Sequence, residues 1–196
     1  MVATTARRMT SEAQDAPVHV VEYDASWPQQ FERERALLAG PLAPWIVGPI
    51  EHVGSTAVAG LPAKPVIDIM AAVQDLEGSR GALSVLPSLG YLYAPYRADV
   101  MHWFCKPSPS FRTHHLHLVP LGSRLWIERL MFRDYLRHHP PIAAEYAALK
   151  RDLAKQYERD REAYTDAKGP FIERVLAMAL RDAPGAGGSA KTGGWR

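Results

Sequence analysis

A carboxylate, a pair of histidines and a Gly-Ser step are the residues of this chain best suited to do chemistry. Asp68 alternates with Ile67 and Ile69, so it stands on the opposite face of its strand from them. Gly54-Ser55 follows Trp45, Ile46, Val47 and Ile50 and therefore leaves a strand; the backbone N–H groups of such a turn, together with the Ser55 hydroxyl, suit a phosphate. A carboxylate beside a phosphate-binding turn is a place to hold a divalent cation. His115 and His117 alternate along a second run and share a face, whereas His114 points the other way. With Asp68 they would make a two-histidine, one-carboxylate set, which favours Mn, Fe or Zn over Mg. The imidazoles could instead act as a general base or donate to a phosphate, and His52 could join them. Each feature also has a plainer explanation: a glycine turn with a capping serine, a carboxylate on a solvated strand face paired with Lys64 or an arginine, and hydrogen-bonded structural histidines.

The basic residues are read the same way. By spacing alone Lys64 is a solvated loop lysine. Arg129, Arg133 and Arg137 recur every four residues and form one helical ridge. Such a ridge can clamp a polyphosphate, but more often it is a solvated face, here opposite Leu125, Phe132 and Leu136; Arg129 is expected to be solvated. Cys105 lies among Trp103, Phe104 and other apolar residues, as a small buried residue does.

The stretch from His52-Val-Gly-Ser-Thr-Ala-Val58 through Gly60-Leu-Pro-Ala-Lys-Pro-Val-Ile-Asp-Ile69 resembles the signature of the GrpB family. Further matches are His115-Leu-His117, Phe132-Arg-Asp-Tyr-Leu-Arg137, Tyr146-Ala-Ala-Leu-Lys150, and Tyr164 with Lys168, so the likeness runs from about Val20 to Leu180. It implies the nucleotidyltransferase-like fold of the DNA polymerase beta superfamily. It also moves Lys64, Arg133, Arg137, Lys150 and Lys168 into the candidate ligand-binding set beside Gly54 and Ser55. Full nucleotidyl transfer in that superfamily uses two carboxylates one residue apart plus a third on a neighbouring strand, holding two metals about 3.5–4 Å apart. This sequence departs from that pattern: the position two before Asp68 is Val66, and histidines stand where the third carboxylate is expected.

The elements that must position these groups follow from patterning. Val18–Tyr23 reads as a short strand. Asp24-Ala-Ser-Trp-Pro28 opens a helix, with Ser26 as cap and Pro28 in its first turn, that Gly40-Pro41 stops. Strands are expected up to Gly54 and over Val66–Val73, and a helix over Asp75–Leu89 that Gly78 and Gly81 weaken. Tyr91–Tyr93, Val100–Lys106 and Arg112–Val119 read as strands, the last two joined in a hairpin by Pro107-Ser-Pro-Ser110. Ser123 caps a helix to about His139, Pro140-Pro141 begins another, and Thr165-Asp166 caps a last one; Tyr146 and Tyr157 lie on a core stripe. Strands before residue 120 and helices after it predict an α+β fold, a mixed sheet with packed helices and a helical C-terminal half.

A chain of 196 residues, 47% hydrophobic and 22% charged, suits one domain with a full core. That domain is expected over 18–182, between a disordered segment 1–17 and a flexible tail 183–196 rich in Gly and Ala. A formal charge of +2, without a basic run interleaved with aromatics, argues against nucleic acid as partner. One cysteine excludes an internal disulfide. Arg7 and Arg8 precede no apolar run, and no stretch is long enough to span a bilayer, so a cytoplasmic protein with no membrane partner is expected. Three functions remain. One is an enzyme transferring a nucleotidyl or related group to a small molecule with a divalent metal, Mg or Mn, at Asp68. Another is a non-catalytic nucleotide- or phosphate-binding accessory protein; the resemblance supports it, since similar domains occur fused to dephospho-coenzyme A kinases. The third is a histidine-metal enzyme using Zn or Fe in the same cleft.

Overall fold

The computed structural model describes residues 16–183. The expectations for 1–17 and 183–196, apart from residues 16, 17 and 183, lie outside them. A five-stranded sheet forms the centre, in the order β1-β2-β5-β4-β3. Its strands are β1 (Ile46–Val53), β2 (Ile67–Val73), β3 (Leu92–Ala94), β4 (His102–Pro107) and β5 (Arg112–Pro120). β2 and β5 run parallel and the other neighbours antiparallel, so the sheet is mixed as predicted. β2 is buried on both faces except at Asp68, as a central strand must be.

α1 (Trp27–Leu42) covers one face with Trp27, Phe31, Leu38 and Leu42 against Ile67, Ile69, Leu116 and Leu118. The other face carries Val53, Met70, Ala72, Trp103, Cys105 and Val119, and meets Trp126 of α2 (Arg124–His138). α3 (Pro140–Gln156), α4 (Arg161–Asp166) and α5 (Gly169–Asp182) complete the helical C-terminal half. None of the described helices is long and apolar enough to cross a membrane.

Four local expectations are corrected. Val18–Tyr23 is not a strand: its only bridge pairs Val21 with Ala63, and Val18 instead buries beside Leu153 and Tyr164. α1 carries Pro41 within its last turn, and although Ser26 precedes the helix its side chain makes no capping bond. Asp75–Leu89 breaks into short turns of 3-10 and α type. Gly81 is the reason on one side, because any Cβ there would press on the Trp45 ring at 2.7 Å. Thr165 and Asp166 end α4 rather than capping α5, and Asp160 caps α4 by accepting from the Ala163 amide at 2.9 Å.

Candidate functional site

The parallel pairing of β2 with β5 puts Asp68 opposite His115 and Met70 opposite His117. The face predicted from alternation is therefore real, and the strands are neighbours. His115 Nδ1 donates to Asp68 Oδ1 at 2.8 Å. His117 Nε2 lies 3.7 Å from the same oxygen. One ligand atom from each residue falls within 4.8 Å of the other two. His115 Nε2 is buried and has no hydrogen-bond partner among the described residues. His114 takes the opposite face, 3.8 Å from Glu34.

Gly54 is required by this arrangement. Its backbone (φ 71°, ψ −172°) lies in a region that is essentially glycine-only. A Cβ there would also sit 3.0 Å from Asp68 Cβ and Cγ and collide with the carboxylate. Ser55 begins a single 3-10 turn, Ser55–Ala57, near the buried Tyr146 phenol. His52 Nε2 meets the Thr56 hydroxyl at 3.0 Å, and Thr56 donates to the Val66 carbonyl at 3.1 Å. That bond ties the glycine turn to the start of β2. Burial lowers the pKa of His52 to about 4, so the ring is neutral.

The basic residues divide in two. Lys64 and Lys168 flank the Tyr164 ring, their Nζ atoms 4.8 and 4.5 Å from its centroid. Burial first, and then repulsion from Lys168, brings Lys64 down to about 7. Burial brings Lys168 to about 8 against the pull of Asp68. Arg129 joins them, against the expectation that it faces solvent: it is half-buried, and its Nη1 lies 3.3 Å from His117 Nε2. Arg129 can only donate, so His117 accepts through Nε2 and carries its proton on Nδ1, toward Met101 Sδ at 3.3 Å. Burial and then Arg129 push His117 down to about 3, which keeps it neutral. Burial opposes ionisation of Asp68, but the bond from His115 outweighs it and holds the carboxyl well below the usual range. Among the described residues neither lysine nor Arg129 has a carboxylate within 4.0 Å.

Arg133, Arg137 and Lys150 are engaged elsewhere. Arg133 Nη1 donates to Glu51 Oε2 at 2.6 Å and to the His52 carbonyl at 2.9 Å, while its Nε and Nη2 hold Asp134. Arg137 Nε and Nη2 clamp the Ala57 carbonyl at 3.1 and 2.8 Å. Lys150, 2% exposed, donates to the Pro62 carbonyl. These three tie the 52–62 segment to α2 and α3. The ring contacts of Trp103 and Arg112 beside His115 escape sequence reasoning altogether, because only the β4–β5 register brings them there.

Comparison with known proteins bears on the family and the fold. A family model described as GrpB protein matches residues 17–178. UPF0157 protein PA4798 of Pseudomonas aeruginosa is 41% identical over 174 residues, covering 87% of this chain and 71% of that protein. The crystal structure of conserved protein GrpB from Enterococcus faecalis superposes with a TM-score of 0.75 at 33% identity, covering 83% of this chain and 98% of that one. A dephospho-CoA kinase of Mycolicibacterium paratuberculosis is 27% identical over 189 residues, which span 84% of this chain and 46% of the kinase.

Proposed function

The chain belongs to the GrpB family, and from the cations gathered round Asp68 we propose that it binds a phosphorylated small molecule, a nucleotide first among them, in that cleft. The observation that carries this is the imbalance of charge. Lys64, Lys168 and Arg129 all feel Asp68 as an attracting charge, yet that one carboxylate already accepts from His115. Crowded, half-buried cations without acidic partners are unfavourable alone and are relieved by a polyanion. Lysines and an arginine donate to phosphate oxygens in charge-assisted bonds. The dephospho-CoA kinase likeness fits a nucleotide or coenzyme A ligand. With a single buried Cys105, the cytoplasm is the fitting compartment.

Nucleotidyl transfer is the stronger form of this proposal. Asp68 orients His115 through Nδ1, which leaves Nε2 as the base for an acceptor's proton. The residues two before and two after Asp68 are Val66 and Met70, so its strand offers no second carboxylate on that face. That feature favours the non-catalytic alternative, binding without turnover. Where a divalent ion takes part, Asp68, His115 and His117 are the residues to hold it, Mg or Mn with the phosphates, Zn or Fe if the histidines dominate. It would neutralise charge and polarise a phosphoryl oxygen. Because Arg129 occupies the His117 lone pair and the lysines repel a bare dication, such an ion would arrive with the anionic ligand.

The test is titration calorimetry of ATP, coenzyme A and inorganic tripolyphosphate, each with and without Mg²⁺ or Mn²⁺. Wild type should bind at least one of them, and Lys168→Met should weaken that binding at least about tenfold, or about 1.4 kcal/mol. Absence of binding to all three contradicts the proposal. Pyrophosphate release in the presence of candidate acceptors separates transfer from binding alone.

A further inference from the structure

We propose that Tyr96, backed by Trp103 and Arg112, forms a stacking platform for a planar group of the ligand, a nucleobase, beside the phosphate-binding cations. This rests on the phosphate reading of the cleft and adds the identity of the ligand's other end. The platform is the lip of the same sheet face. Trp103 of β4 stands opposite His117 of β5 on one side and Ala94 of β3 on the other. Its ring is 5.1 Å from that of His115, and His115 is 6.2 Å from His117. On the outer side the Tyr96 ring meets Trp103 edge-on at 6.2 Å and 70°. A file of rings therefore runs from the Asp68 carboxylate to the surface, and it ends in a tyrosine that is 51% exposed.

Three features make that last ring more than a stray surface aromatic. Arg112 lies over the Trp103 ring, its guanidinium carbon 5.0 Å from the centroid, so the subsite already holds a cation–π pair. The Trp103 ring links Tyr96, at 6.2 Å, to His115, at 5.1 Å, which sets the loop at the edge of the Asp68 face. Arg97 itself is the only described non-glycine residue with positive φ, at 49°, in a short turn closed by the Val100 and Met101 amides on its carbonyl. Backbone held in a sparsely populated region next to an exposed aromatic is a feature of ligand clamps. Every base has a π-face, so stacking of this kind tolerates different bases.

The experiment compares ATP, GTP, CTP and UTP with inorganic tripolyphosphate by titration calorimetry, in wild type, Tyr96→Ala and Tyr96→Phe. At least one nucleotide should bind about tenfold tighter than tripolyphosphate, the scale of one base stack. Tyr96→Ala should bring that nucleotide down to the tripolyphosphate affinity and leave tripolyphosphate itself unchanged, while Tyr96→Phe keeps the advantage. If no nucleotide exceeds tripolyphosphate, or Tyr96→Ala leaves the advantage intact, the platform is wrong and the phosphate site stands. If tripolyphosphate and all four nucleotides fail to bind, both are wrong.

Discussion

A metal ion held by Asp68, His115 and His117 would compete with Arg129 for one lone pair, that of His117 Nε2. This gives Arg129→Met effects of opposite sign. It should strengthen binding of Mn²⁺ or Zn²⁺ added alone, and weaken binding of tripolyphosphate by about tenfold, the cost of one charge-assisted contact. Calorimetry with each would show it; two affinities moving in the same direction would refute the shared lone pair. Arg133 behaves differently. Its guanidinium is buried among Glu51, Asp134 and the His52 carbonyl, so Arg133→Met should cost about 1–3 kcal/mol of stability. Denaturant melts should record that loss while tripolyphosphate affinity stays the same; a large fall in affinity with unchanged stability would make Arg133 a ligand contact instead. Asp68, His115 and His117 were legible because strand alternation is local, and Lys64 and Lys168 through the family signature. Arg129 was not, because nothing in a ridge of arginines says which member packs over β5.

At the scale of elements, the glycine turn matters most. Gly54 answers to two constraints, its glycine-only backbone and the carboxylate of Asp68 across the β1–β2 pair. Gly54→Ala should cost about 1–3 kcal/mol and displace Asp68, so that phosphate-ligand binding falls as well. Gly60, with φ 76° but nothing within 4 Å of an added Cβ, is the control: Gly60→Ala should cost about 1–2 kcal/mol and leave binding intact. Thermal melts and titrations on the pair decide it, and equal binding losses would mean that turn geometry, not the approach to Asp68, is what the site needs. Strands and the β4–β5 hairpin were readable from apolar runs and turn residues. The Asp75–Leu89 segment was not, since its leucines have helical spacing while Gly81 is held against Trp45 by a contact the sequence does not display. Val18–Tyr23 failed similarly: its valines suit a strand, but among the described residues only Val21 finds a bridge partner.

At the scale of the whole molecule, the site is a gathering of charges from distant parts of the chain. Lys64 precedes β2, Arg129 comes from α2 and Lys168 lies at the start of α5; the lysines meet over the Tyr164 ring, and Arg129 reaches His117 of β5. The order β1-β2-β5-β4-β3, with one parallel pair, has no local signal; the family resemblance implied the fold and a mixed sheet but not this order. Its consequence is a dependence on pH. Lys64 at about 7 and Lys168 at about 8 both lie below the ordinary 10.5. Lys64 is opposed by Lys168, Arg161 and Arg112 and favoured by Asp68; Lys168 is opposed by Arg129 and favoured by Asp68 and Asp166. Between the folded and unfolded pKa values the unfolded chain binds more protons, so these lysines make the free protein more stable as pH rises from about 7 toward 10. Protonated lysines are what a polyanion needs, so the melting shift given by tripolyphosphate should shrink as pH rises from about 7 to 9. A shift that grows over that range would contradict the account.

The most direct test of the phosphate-binding cleft is titration of ATP with Mg²⁺ at pH 8 in two buffers of different ionisation enthalpy, on wild type and on the double variant Lys64→Met, Lys168→Met. The expected result is binding with net uptake of protons in wild type, and loss of both affinity and proton uptake in the double variant. No binding, or binding that survives the loss of both lysines, would contradict the assignment of this cleft to a phosphorylated ligand.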